Sequence, residues 1–435
     1  MSSVRRPFTI RRPEAAAAKN PESVFKNFLQ QSRNVIQFQL NPTDVAYANT
    51  LRRVILTEVE TVAFRSVILE NGLTSDIKIT KNSTPMSNEM LAHRIGLLPI
   101  HISNPLEWVP ESYSFSLSVV NETANPKDIV AADIRVLKNR GPEEEPLPVP
   151  STEFFHLDTH SKETALIAVL KGRVGTQEPE SLAFEAKATI GTGRENAQFN
   201  PVSQCSYKYT LDKDPERIKE HFEKWLATYK KMSPADLESS PTKKQELERE
   251  FNTMEIARCY MVDERGEANS FDFIVESVGV LDPVYCVARA LQVLQGKAMH
   301  YASIDAGDLP ETVRVRPADA RMTGFDFTFQ NEDHTLGNMF QTWMEKNLID
   351  SSEITYVGYK VPHPLKDEML IRIAVADGKE LTARAALSKA ARGCAALFKK
   401  WAADWEGVAG SMAAQPAQSV RAALQTRGAR ERAAF

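Results

Sequence analysis

The sequence predicts an α+β protein in which one strand–helix–strands–helix pattern is laid down twice, with a strand-rich segment inserted into the first copy. Two observations carry this. Alternating residues at 34–40 run into an amphipathic segment at 41–60, and the same order restarts at 325–347. Between them, apolar and β-branched stretches separated by Gly, Pro and Asn turns fill residues 62–210. A chain of 435 residues, 42% hydrophobic and 25% charged, has material for more than one core.

Residues 1–30 read as a flexible basic arm carrying Arg5, Arg6, Arg11 and Arg12. A strand follows at 34–40. A helix is then expected with Asn41 as N-cap and Pro42 in its first position. Val45, Ala48, Arg52, Ile55 and Val59 recur at three- and four-residue steps, Leu51 and Val54 widen the stripe, and the helix should end near Glu60. Within the inserted strand-rich domain (63–210), Gly141 to Pro150 reads as an exposed loop stiffened by prolines. Residues 211–254 turn charged and helix-favouring, broken at Ser233-Pro234 and Ser240-Pro241, and read as a surface helical insertion. A strand at 271–278 leads through Asp282-Pro283 into a helix at 284–297, so the first lobe comprises 31–62 and 255–300. Residues 301–322, with Pro310 and Pro317, read as a linker. The second lobe, 323–406, has strands at 325–330, 354–359 and 369–374 and helices at 335–347 and 380–405. Residues 407–435 read as a frayed tail.

The net charge of −4 argues against a protein whose main work is coating nucleic acid. Cys205, Cys259, Cys286 and Cys394 show no C-x-x-C spacing, so buried free thiols in a reducing compartment are expected. No apolar run reaches membrane-span length, and the first residues lack the apolar core of a secretory signal, so no membrane partner is expected. A phosphate loop of the G-x-x-x-x-G-K-S/T type and a triple-aspartate metal motif are both missing, and Asp326 and Asp333 are isolated. Glu89 and His93 would share a helix face but lack a third ligand for zinc. His156 and His160 have metal-like spacing in a loop-rich stretch without cysteine, where a solvated or packing role is expected. Neither metal, cofactor nor catalytic residue is assigned.

Two stretches of the first half carry the most information: Asn49-Thr-Leu-Arg-Arg-Val-Ile-Leu-Thr-Glu-Val-Glu-Thr-Val-Ala63 and Asn88-Glu-Met-Leu-Ala-His-Arg-Ile-Gly-Leu-Leu-Pro-Ile100. Together they resemble the signature of the alpha-like subunits of multisubunit DNA-directed RNA polymerases. That family comprises the eukaryotic third-largest subunits, the archaeal D subunit and the bacterial alpha N-terminal domain. Ile190 to Pro201 is similar to a further loop of the family, with Asn196, Gln198 and Phe199 where His, Lys and Trp are usual. In the second half, Asn331-Glu-Asp-His-Thr-Leu-Gly-Asn338 and Val357-Gly-Tyr-Lys-Val-Pro-His-Pro364 resemble the small partner of those subunits, the archaeal L or eukaryotic eleventh type. Such a fusion resembles what certain large DNA viruses of eukaryotes carry.

The resemblance implies two alpha-like dimerisation lobes in one chain and a non-catalytic platform that scaffolds the largest and second-largest polymerase subunits. Small zinc-binding subunits would be further partners, and DNA would be met only through the complex. The location implied is intracellular, in the nucleus or a viral factory, with packaging into virions open. It places Asn49, Leu51, Arg52, Arg53 and Ile55 of the first helix at subunit contacts, with Arg52 and Arg53 toward the second-largest subunit. Glu89, His93, Arg94, Gly96, Leu97 and Pro99 would form a docking turn. His334, Thr335, Leu336, Gly337, Asn338, Phe340, Trp343, Gly358, Tyr359, Pro362, His363, Pro364, Phe398 and Trp401 would supply contacts from the second lobe.

The residues themselves support pairing of the lobes. Leu336, Met339, Phe340, Trp343 and Met344 make one helical stripe, and Leu387, Ala391, Cys394, Leu397, Phe398, Trp401 and Trp405 another. A lobe of this size cannot cover every stripe by itself. Packing the stripes of one lobe on those of the other removes that surface from water at about 25 cal/mol per Å², and one continuous chain makes the pairing intramolecular. The competing readings are a nucleotide- or metal-using enzyme and a nucleic-acid-binding accessory protein working through its basic termini.

Overall fold

In the computed structural model the first lobe is a four-stranded antiparallel sheet built from distant parts of the chain. The structure describes residues 23–67, 75–141, 144–158, 160–233, 241–307, 309–319, 322–349 and 353–413. The sheet has the order β1 (Phe25–Gln30), β2 (Val35–Leu40), β13 (Phe271–Ser277), β12 (Val202–Tyr209). Pairing of Leu40 with Phe271, Phe38 with Phe273 and Ile36 with Val275 places six apolar side chains on one face. All six are buried, as alternation on a one-sided sheet requires. Helices α1 (Val45–Thr57) and α5 (Pro283–His300) cover that face.

The second lobe repeats this plan. Its sheet has the order β14 (Val313–Pro317), β15 (Gly324–Gln330), β17 (Glu368–Ala374), β16 (Tyr356–Lys360). Its helices are α6 (His334–Met344), extended by a π turn over Glu345–Ile349, and α7 (Glu380–Ala413). In both lobes the chain runs strand, strand, helix, strand, strand, helix, and in both the last strand lies between the second and third. The two lobes therefore share a topology, and not merely a composition.

The insertion lies between α1 and β12 and has its own core. β3 (Glu60–Phe64) pairs with β11 (Ala188–Thr192). A five-stranded sheet has the order β4 (Ile77–Asn82), β10 (Ser181–Ala186), β5 (Tyr113–Val120), β7 (Arg135–Lys138), β8 (Leu147–Val149). β6 (Lys127–Val130) pairs with β9 (Leu166–Leu170). Phe64, Phe115, Phe154, Phe155 and Phe184 fill the interior under α2 (Asn88–Gly96). Between β12 and β13, α3 (Pro215–Trp225) and α4 (Pro241–Met254) close a small core of Trp225, Leu226, Leu247 and Phe251.

Several expectations are corrected. Phe25–Gln30, expected inside an arm, is an edge strand of the first sheet; the rest of that arm, residues 1–22, lies outside the described residues. α1 starts at Val45 with Asp44 as N-cap, because the Asn41 N–H still donates to Val24 O at 2.9 Å and continues the strand pairing. The helix stops at Thr57, and Val45, expected on the apolar stripe, is exposed. β12 leaves the inserted domain and closes the first lobe's sheet. Leu147–Val149, expected as loop, pairs with β7 at a sheet edge, where Pro148 is tolerated. Val313–Pro317, expected as linker, is strand β14. α7 runs eight residues past Trp405, to Ala413; the remainder of the expected tail lies outside the described residues.

Trp405 shows how the fold is tied. It is 1% exposed, its ring meets Phe25, Phe28 and Phe38 of the first lobe edge-on at 4.9–5.6 Å, and its Nε1 donates to Val284 O at 3.1 Å. Trp405→Ala leaves a cavity across both lobes and should cost about 3–5 kcal/mol. Urea unfolding followed by far-UV circular dichroism checks this.

Candidate subunit interface

The buried faces of the two lobes form one continuous core rather than two. α5 packs along α7 and α1 against α6, and Ile36, Phe38, Leu51 and Val287 share a cluster with Phe327, Leu336, Phe340, Phe398 and Trp401. Aromatic contacts bridge the seam: Tyr47 with Phe398 and Trp401, Phe25 with Trp401, and Tyr301 with Phe329 and Phe340, at centroid separations of 5.2–6.5 Å. Edge-on pairs of this kind add about 0.5–1.5 kcal/mol each beyond area burial.

Polar contacts fix the register of the clasp. Arg53 donates to Thr335 Oγ1 and to Asp333 Oδ2, both at 2.8 Å. Asp333 also caps α6 by accepting from Thr335 N at 2.7 Å. Burial pushes the Asp333 carboxyl up, but the Thr335 hydroxyl and backbone N–H, with the Arg53 guanidinium behind them, hold it below the usual carboxylate range. Lys346 in the second lobe reaches Asp44 in the first. Arg53, which the resemblance places toward another subunit, is thus engaged by the chain's own second lobe. Its neighbour Arg52 is not: Arg52 donates to Asn49 Oδ1 at 3.0 Å and lines, with Asn49, Tyr207, Lys208 and Leu211, an open groove of about 770 Å³ beside edge strand β12.

A second polar cluster lies at the lobe junction. Lys297 Nζ on α5 is 2.7 Å from Glu58 and 3.2 Å from Glu332 Oε2, and Tyr301 Oη donates to Glu332 Oε1 at 3.2 Å. Two carboxylates share one ammonium in a buried place. Burial raises the Glu332 carboxyl, with Glu58 adding to the rise, and Lys297 offsets it only in part. Burial acts to lower Lys297, but the two carboxylates outweigh it and raise the ammonium. Sequence reasoning missed Lys297, Tyr301 and Tyr47. Glu58 stood inside the Asn49–Ala63 stretch, and Glu332 and Asp333 inside the Asn331–Asn338 stretch, which was the signal available for them.

The motif glycines are explained by close approach. A Cβ on Gly337 would lie 2.4 Å from the Tyr359 ring, so α6 and β16, which carry the two motifs of the second half, meet at that point. His334 Nδ1 lies 3.4 Å from Tyr359 Oη, and Gln341 Oε1 accepts from Tyr359 N. A Cβ on Gly358 would meet the Tyr356 ring at 2.4 Å. A Cβ on Gly96 would lie 3.0 Å from Phe64 O, which seats the end of α2 on β3. Arg94 donates to the carbonyls of Ile167 and Leu166 and ties α2 to β9.

The site residues therefore divide. Leu51, Ile55, Thr335, Leu336, Gly337, Phe340, Phe398 and Trp401 are buried in the two lobes, with Trp343 half-buried over Gly393 and Asn338 half-buried. Glu89, His93, Leu97 and Pro99 stay exposed on and beyond α2, as do His334, Pro362, His363 and Pro364 on the second lobe, and Leu365 is 90% exposed. In the family-like loop, Phe199 is buried beneath Gly191 and under the Arg65 guanidinium, and Gln198 donates to Phe64 O. His156 stacks on His101 at 3.6 Å, a packing role. All four cysteines are buried and free, and burial pushes Cys205 and Cys286 up to about 12. Among the described residues no three His, Cys, Asp or Glu side chains converge to hold a metal ion, and no helix is long and apolar enough to cross a membrane.

The model of the RNA polymerase Rpb3/Rpb11 dimerisation domain matches residues 37–298, and a second model of that domain matches residues 325–402. The chain belongs to the Rpb3/Rpb11 dimerisation-domain family. The first match spans the first lobe from β2 to α5 together with its insertions, and the second lies within the second lobe. Similar proteins include DNA-directed RNA polymerase II subunit RPB3 of Schizosaccharomyces pombe, 27% identical over 61% of this chain and 82% of that protein. DNA-directed RNA polymerase subunit Rpo3 of Methanosphaera stadtmanae is 26% identical over 60% and 91%, and subunit RPAC1 of polymerases I and III of Bos taurus is 27% identical over 63% and 84%.

The junction cluster gives a pH test. A carboxyl raised in the folded state adds stability below its unfolded value of about 4.3, and that contribution is lost as pH rises through the folded value. Glu332→Gln should therefore gain on the parent chain as pH rises from about 4.5 to 7.5, since Lys297 keeps Glu58 as its partner. Urea midpoints across that range check this; parallel curves would contradict it. Arg53→Met removes the charge partner of the half-exposed Asp333, which keeps its bond from Thr335 N, and should cost about 0.5–1 kcal/mol in the same urea unfolding.

Proposed function

We propose that this protein is the assembly platform of a multisubunit DNA-dependent RNA polymerase, a structural subunit with no active site of its own, in which two partner lobes are fused in one chain. The observation that carries the reading is the single core formed by the two lobes. It supplies internally the partner that each dimerisation lobe needs, while the remaining motif residues face outward. On this reading the second-largest subunit docks mainly on the first lobe, through the α2 turn with His93, Leu97 and Pro99 and through the groove that holds Asn49 and Arg52. The largest subunit docks mainly on the second lobe, around His334 and the Pro362–Leu365 loop. Small zinc-binding polymerase subunits are further partners, and an origin in a large DNA virus fits the fusion.

Exposed apolar side chains bounded by fixed turns suit such docking. Leu97 is 56% exposed at the end of a helix whose seat on Phe64 and on the Leu166 and Ile167 carbonyls is rigid. The test is affinity purification of the tagged chain with mass identification of bound proteins. The two largest polymerase subunits should co-purify. Leu97→Asp should lower recovery of the second-largest subunit by about ten-fold or more, the loss that 1.4 kcal/mol produces, and leave the fold intact. Leu365→Asp should do the same for the largest subunit. Recovery of neither subunit with the unaltered chain would overturn the proposal.

A further inference from the structure

The sheets of the two lobes have four edges, and one of them is left open. β1 is blunted by the slip between Lys26 and Leu29, with Asn27 at φ 50°. β14 is five residues long and ends on Pro317. On β16 the outward Tyr359 N–H donates to Gln341 Oε1 at 3.0 Å. β12 has none of these protections. It runs for eight residues without proline, and its register slip lies at its start, between Val202 and Gln204.

The ladder fixes which groups of β12 face out. Thr210 N donates to Ser270 O at 3.0 Å, and on the opposite side of β13 Ser277 N donates to Asn34 O at 2.8 Å. Bonding alternates along an antiparallel strand, so Gln204, Ser206 and Lys208 bond to β13. The N–H and C=O groups of Cys205, Tyr207 and Tyr209 point outward, and among the described residues nothing bonds them. These three residues line the groove of about 770 Å³. Asn49 and Arg52 of α1 line it too, as do Leu211 and Ala257 at the root of the α3–α4 insertion.

The groove has a chemical character of its own. Its charged lining is Arg52 and Lys208, with no carboxylate among the described residues that line it, in a chain of net −4. Arg52 Nε is spent on Asn49, and Nη1 and Nη2 have no acceptor among the described residues. Tyr209 and Leu211 are each 40% exposed.

We infer that β12 accepts one added strand: a segment of the second-largest polymerase subunit that offers a carboxylate to Arg52 and apolar side chains to Tyr209 and Leu211. Main-chain bonds to Cys205, Tyr207 and Tyr209 give the affinity, and alternate side chains of the added strand give the selection. This rests on the platform reading, which docks that subunit at the groove, and adds the form and charge of what enters it.

The test is hydrogen exchange, resolved by residue with mass spectrometry, on the complex recovered with the tagged full chain and on the free chain. In the free chain the amides of Cys205, Tyr207 and Tyr209 should exchange quickly and those of Ser206 and Lys208 slowly. In the complex the first three should slow by about ten-fold or more. Tyr209→Pro removes an outward N–H and no ladder bond, and Arg52→Glu repels an acidic segment. Each should lower recovery of the second-largest subunit by about ten-fold, the loss that one good hydrogen bond or charge pair produces. Recovery of that subunit with the three amides unchanged overturns the added strand. Slow exchange of the three in the free chain also overturns it: a second copy covers the edge if the slowing grows with protein concentration, and the chain itself covers it if not. Failure to recover any polymerase subunit overturns the platform reading before exchange is measured, so the two failures are distinguishable.

Discussion

The structure depends on one burial: the helical face of the first lobe against that of the second. Each lobe is a single sheet covered on one side by two helices, and those helices still carry apolar side chains on the side away from their own sheet. Tyr47, Phe398, Trp401 and Trp405 have no aqueous alternative that does not expose large rings. Pairing the lobes covers them all, and it explains why α7 is long. It must pass over α5 and still reach β1, where Trp405 meets Phe25 and Phe28.

The polar contacts at the seam then act on register more than on raw stability. Arg53 to Asp333 is a half-exposed pair and contributes modestly alone. It also joins the helix cap of α6 to the middle of α1, so a slipped docking would leave Asp333 with only its local partner. The Lys297 cluster works differently. It holds one more carboxylate than ammonium in a buried junction, which costs stability near neutral pH, and it gathers Glu58 and Glu332 around the one Lys297 ammonium with Tyr301 beside them. A seam set in this way fixes how the two lobes sit on each other, while α2 is seated separately, on Phe64 and on the Leu166 and Ile167 carbonyls of the inserted domain.

Much of this was legible in the sequence because the periodicities were strong. β2, β15 and the stripes on α6 and α7 could be read from spacing alone. What was missed has identifiable causes. β1 hides its alternation because the pairing slips between Lys26 and Leu29, with Asn27 at φ 50°. β14 alternates as Val-Arg-Val-Arg, but Pro310 and Pro317 suggested a linker, although an edge strand tolerates proline at its ends. Pro42 looked like a helix start, yet Asn41 is still bonded to Val24. At the site, the family motifs marked segments but could not tell which of their side chains face inward: Arg52 and Arg53 are adjacent, and only Arg53 crosses to the second lobe.

The clasp is tested most directly by cutting the connection between the lobes and asking whether they part. A protease site placed at Gly307, in the segment between α5 and β14, severs the chain without removing any core residue. After cleavage, the two fragments should elute together in size-exclusion chromatography at the position of the intact protein and separate only in denaturant. Two fragments that elute apart, each folded and soluble, would contradict the account.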